Sequence, residues 1–170
     1  HAQILYLLSL SCLFFFIYQG ALDVLYQYST YGYFSEWYPS SRSWVLMKLG
    51  RLDEAIKVAR MGALTGFDPG RTLNMLGILL SMTHERENAL SVFKKAVDYE
   101  MSLGPTGQPA TPLNNQGEVY KEIFDENMAE LSWLRSTSMP DGCEHVLPAL
   151  NRALLYIDQL NLSGAKGAID

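Results

Sequence analysis

The residues best equipped for chemistry are Cys143 and His145, a thiol and an imidazole two positions apart. They could begin a metal site, but zinc takes about four such ligands, and the other candidates, Cys12, His1 and His84, are scattered along the chain. We expect a loop pair that holds no metal. Cys12 lies in an apolar segment, 131 positions from Cys143, so no structural disulfide is expected. The acidic pairs Asp53-Glu54 and Asp125-Glu126 are sequence neighbours, which do not face each other on a helix and read as solvated charges. No Gly-rich phosphate loop, HExxH or GxSxG pattern occurs. The sequence therefore points to no catalytic residue, no metal and no cofactor. A net charge of −5 offers no electrostatic footprint for nucleic acid.

What remains is architecture. Leu76, Gly77, Leu80, Ala89, Phe93 and Ala96 fall in one helical register, with small residues where two helices would touch. Ala55 stands 34 residues before Ala89, in the run Leu49-Gly50-Arg51-Leu52-Asp53-Glu54-Ala55-Ile56. Gly117, Tyr120, Ala129 and Trp133 repeat Gly77, Leu80, Ala89 and Phe93 at a step of 40. The six extra residues fit Gly104-Pro105-Thr106-Gly107-Gln108-Pro109, whose composition opposes helix. A fourth copy, over Ala153 to Asp170, is indicated by Gly167-Ala168-Ile169-Asp170, with Ala168 standing 39 residues after Ala129.

This pattern resembles the tetratricopeptide repeat (TPR), a helix-turn-helix unit of about 34 residues. The match covers residues 36 to 136 and is strongest from 70 to 100. It implies an all-α fold of antiparallel helical hairpins, about three with a partial fourth, preceded by an apolar amino-terminal helix. Asp53-Glu54 place negative charge in the first turn of a helix, and Asp68-Pro69-Gly70 separates two periodic runs. Ile56, Ala59 and Leu64, then Leu73, Leu76 and Leu80, supply the faces that neighbouring units would bury. Any stack of helical hairpins shares such spacing, and that reading is all-α too. Because the sequence opens on His1 and the fourth unit is cut short, we expect a longer protein.

The expected organisation is an apolar, aromatic-rich segment over residues 1–35 and a repeat domain over 36–170. From Ile4 to Leu25 the sole formal charge is Asp23, and as a helix these residues would span about 33 Å, enough for a bilayer core of about 30 Å. Of the chain's 20 aromatic residues, 12 fall within residues 1–41. Phe14, Phe15 and Phe16 lie in the apolar run, and Tyr26, Tyr28 and Trp37 follow it as candidate interface residues. A transmembrane anchor, a buried helix docked on the first repeat and a signal sequence remain open. No Lys or Arg precedes Arg42, which favours the translocated side of a membrane for the repeats.

In the TPR family the first helices of successive units line a groove. Carried onto this sequence, the groove positions are Arg71, Asn74, Ile78, Ser81 and Met82 in one repeat. In the next they are Thr111, Asn114, Glu118, Lys121 and Glu122. Asn74 and Asn114 could bond a peptide backbone through both donor and acceptor. The places where some TPR adaptors hold cations for a terminal carboxylate contain Ser40, Trp44, Met75, Thr111 and Asn115. None is basic, so an acidic tail is not the expected ligand. The functional expectation is a non-catalytic scaffold for protein partners, a structural or assembly subunit of a membrane-associated complex. The alternatives are an accessory repeat region of a larger membrane enzyme and a soluble peptide-binding adaptor.

Overall fold

A computed structural model describes residues 18–30, 38–65, 68–142, 146–160, 164 and 167–169. It is all-helical over those residues and divides into two compact units, His1–Thr83 and His84–Asp170. The first holds α1 (Tyr18–Thr30), α2 (Tyr38–Lys48), α3 (Leu52–Thr65) and α4 (Pro69–Met82). The second holds α5 (Arg86–Ser102), a 3-10 turn (Gly104–Thr106), α6 (Ala110–Glu122), α7 (Glu126–Ser138) and α8 (Val146–Asp158).

In the first unit, α1 packs on α2, α2 on α3 and α4, and α3 on α4. The buried face of α3 is Ala55, Ala59 and Gly62, spaced four and three apart on one stripe. Gly62 allows the helices to touch, since a Cβ there would sit 2.3 Å from Pro39 Cβ and 3.0 Å from Thr72 Cγ2. Leu64, expected on the buried face, is 87% exposed; two residues beyond Gly62, it lies on the far side of the helix. Leu76 and Leu80 are buried as expected, together with Leu79.

The apolar amino-terminal segment is described only from Tyr18. Residues 18–25 open α1, which runs on to Thr30 and buries Ala21, Leu22, Leu25 and Tyr28. Among the described residues no helix is long and apolar enough to cross a membrane. The transmembrane expectation for Ile4 to Leu25 is therefore not met where the segment is described: its carboxy-terminal part is a docked helix with an apolar face against protein. Residues 4–17 lie outside the described residues.

In the second unit, α6 packs on α5 and α7, and α7 on α8. Its centre is Ala129, Trp133 and Leu155, with Tyr120 against them. Gly117 makes room for Trp133, because a Cβ at that position would meet the indole Nε1 at 2.5 Å. The indole N–H donates to the Asn114 carbonyl at 3.1 Å, and the buried Ser136 hydroxyl donates to the Ala110 carbonyl at 2.7 Å. These two bonds fix the α6–α7 hairpin.

The expected insertion also appears. Helix α5 continues to Ser102, the 3-10 turn follows, and the carboxylate of the buried Glu100 accepts the Gln108 N–H at 2.8 Å. Gly107 is required there, since a Cβ would lie 1.8 Å from the Glu100 carbonyl oxygen.

The hairpin turns reveal the repeat directly. Gly50, His84, Phe124 and Leu160 all take left-handed backbone, with φ of 74°, 65°, 62° and 58°. At the first, the Gly50 N–H donates to Met47 O and the Arg51 N–H to Leu46 O; at the third, Phe124 N–H donates to Lys121 O and Asp125 N–H to Tyr120 O. Both are Schellman endings, which normally select glycine. Here one of the four turn residues is glycine.

Candidate functional site

Helix α6 puts Asn114, Glu118, Lys121 and Glu122 on one face by three- and four-residue spacing. Helix α8 does the same for Asn151, Leu154 and Asp158. The two faces meet through side chains 37 positions apart in sequence: Asn151 Nδ2 donates to Asn114 Oδ1 at 3.1 Å, and Lys121 Nζ to Asp158 Oδ2 at 3.0 Å. Asn151 also reaches Glu118 Oε1 at 3.4 Å, and Asn114 Nδ2 donates to the same oxygen at 3.0 Å.

Above this network lies a groove of about 390 Å³, lined by Glu118, Lys121, Glu122, Phe124, Trp133, Asn151 and Leu154. Lys121 and Glu122 are held in ion pairs, with Asp158 and with Arg86 at 3.2 Å. Trp133 forms a buried floor, whereas Phe124 is 91% exposed at the edge. The groove combines apolar area with charged side chains held in ion pairs.

The predicted groove residues divide between the two units. Arg71, Asn74, Ile78 and Met82 lie along α4; Arg71 pairs with Asp68 at 3.6 Å, Asn74 and Ile78 are half-buried and Met82 is exposed. Asn114, Glu118 and Lys121 come together on α6. Asn114 does not present a free amide to a peptide backbone as expected: it is 6% exposed and both ends of its side chain are bonded within the protein. Its side chain joins α6 to α8.

Sequence reasoning misses Asn151, Leu154 and Phe124. The repeat pattern locates the fourth unit from Ala168 in its second helix, which leaves the groove positions of its first helix, α8, unassigned. Phe124 carries a signal in its spacing, since it stands where Gly50 stands in the first hairpin.

Of the expected interface residues, Tyr28 is buried in the first unit. Tyr26 accepts a hydrogen bond from Arg42 Nη2 at 2.7 Å and lies 4.5 Å beneath the guanidinium. Tyr28 is thus packed within protein, whereas Tyr26 pairs with Arg42 and stays partly exposed. Phe14, Phe15, Phe16, Trp37, Cys12, Cys143 and His145 lie outside the described residues. Among the described residues no three His, Cys, Asp or Glu side chains cluster as a metal site. Elsewhere, Arg51 and Glu54 form a two-pronged pair at 2.7 Å, which raises the Arg51 pKa and lowers that of Glu54 through their mutual hydrogen bond.

The backbone is similar to solved TPR structures. A thermophilic TPR protein of Thermus thermophilus matches with a TM-score of 0.78 at 17% identity, covering 99% of this chain and 88% of that one. MamA from residue 41 to its end, of Desulfovibrio magneticus RS-1, matches with a TM-score of 0.70 at 14% identity, covering 98% and 90%. At such identity the likeness establishes the TPR-like fold. No protein-family model matches the sequence, and neither does any curated protein.

Proposed function

We propose that this chain is a non-catalytic protein-interaction scaffold that holds a segment of a partner in the groove between α6 and α8. The observation that carries the reading is the groove itself: an open, partly apolar channel bounded by charged side chains, on helices joined by the Asn114–Asn151 and Lys121–Asp158 pairs. Helices already joined before a partner arrives lower the ordering cost of binding.

The finer form of the proposal makes the chain an assembly subunit of a membrane-associated complex, attached through the apolar run before α1. A second reading, a peptide-binding adaptor whose amino-terminal segment docks on its own repeats, is favoured by the buried face of α1. Carbonate extraction of the native full-length protein distinguishes them, since the adaptor is released without detergent and the attached subunit is not.

The groove is tested by affinity purification of wild type and Leu154→Asp from detergent extracts, with mass spectrometry of what is recovered. Leu154 is partly exposed, so the helix tolerates the change, but the groove loses apolar area. Partners retained by wild type should be depleted with the variant. Identical recovery would remove the groove from the reading.

A further inference from the structure

The groove is unevenly compensated in charge, and this points to the chemistry of its occupant. Lys121 and Glu122 are each matched by an opposite charge, from Asp158 and Arg86. Glu118 is not: its carboxylate accepts from the neutral amides of Asn114 and Asn151, and among the described residues no cation lies within ion-pair distance of it. A second observation concerns Phe124. Its φ of 62° is disfavoured for any residue with a Cβ, and the ring it carries stands almost wholly in solvent. The backbone follows from the helix ending shared by the hairpin turns, but an exposed aromatic ring at the edge of the groove is free to be covered by a partner. The surrounding sequence has one dominant sign. Residues 84–170 carry thirteen acidic and seven basic side chains, a net of −6, against five and six in residues 1–83, a net of +1.

We propose that the groove takes a basic segment of a partner protein, in which an Arg or Lys seats its cation on Glu118 against the face of Phe124 while an apolar neighbour covers Leu154. This rests on the scaffold reading above. A carboxylate that accepts from neutral amides retains lone pairs for a cation, and charge-assisted bonds are roughly twice as strong as neutral ones. An aromatic face adds a cation–π attraction. The net −6 of the whole unit steers such a segment towards the site at low ionic strength.

The test is to pan a phage-displayed random peptide library on the full chain at low salt, then measure the selected peptides by fluorescence anisotropy. Enrichment of Arg or Lys beside an apolar residue supports the proposal, as does affinity that declines when salt is raised. Glu118→Gln keeps an oxygen to accept both amides and removes the charge; it should weaken binding about tenfold. Phe124→Gly relieves the strained turn and should raise the melting temperature while weakening binding about fivefold. Enrichment of neutral or acidic peptides that Leu154→Asp abolishes would overturn the basic segment and leave the groove standing. No enrichment at all would overturn both. Unchanged affinity in Glu118→Gln would overturn the seat on Glu118.

Discussion

At the scale of single residues, close approach and charge pairing make separable demands. Gly117 exists for the Trp133 indole, which is 1% exposed and tied by its N–H to Asn114. A methyl group there has no flexible neighbour to displace, so Gly117→Ala should destabilise by about 1–3 kcal/mol, as overpacked cores do. A thermal melt should show a loss of several degrees; an unchanged melt would mean that the indole moves freely. Glu54 makes a different prediction. Its pKa is lowered by the hydrogen bond from Arg51, so the unfolded chain takes up this proton more readily than the folded one. The stabilisation is complete above the ordinary carboxylate value and is lost as pH falls through the lower, folded value. Arg51, raised in pKa by the same bond, stays charged across this window. Glu54→Gln should therefore melt slightly below wild type near neutral pH and converge with it in acid, in low salt. The effect is small because both groups are substantially exposed to solvent. A difference independent of pH would reject the pair as its cause.

At the scale of elements, helix ends decide where hairpins begin. Asp125 accepts the Met128 N–H at 3.1 Å and caps α7 directly after the strained Phe124 turn. Asp125→Ala should cost about 1 kcal/mol, visible as a shift of a few degrees in the melting transition. A neutral result would mean that water replaces the cap. The hairpins themselves were legible in the sequence, because small residues at 34- and 40-residue steps mark where helices must touch, and Ala55, Ala89 and Ala129 are all fully buried. The insertion was legible as well, from Pro105, Gly107 and Pro109. Less visible was anything depending on one turn of phase, such as Leu64, which is apolar but faces outward. The groove was half-legible: Glu118 and Lys121 follow from the repeat register, but Asn114 cannot be told from a free amide until Asn151 is seen to bond it. Such a pairing is 37 residues distant and leaves no local pattern. The run from Ile4 to Leu25 left its environment open for a related reason, since apolar residues bury against protein as readily as in lipid, and within α1 those of residues 18–25 do the former.

At the scale of the whole molecule, the governing property is that helices in each unit pack mainly on their sequence neighbours. A repeat architecture of this kind has a stability that is close to a sum of local and nearest-neighbour contributions. Gly62→Ala drives a methyl group into Pro39 and Thr72, whereas Gly117→Ala drives one into Trp133. The two positions belong to different compact units and share no contacting residue. Their destabilisations should therefore add, with a coupling below about 0.5 kcal/mol in a double-mutant cycle. Amide exchange gives the same argument spatial detail. Gly62→Ala should speed exchange in α2, α3 and α4 and leave α6 and α7 protected, while Gly117→Ala should do the reverse. A larger coupling, or exchange that rises throughout the chain with either substitution, would mean that the two units unfold as one. The groove in residues 84–170 would then owe its rigidity to the whole chain and not to Asn114, Asn151, Lys121 and Asp158 alone.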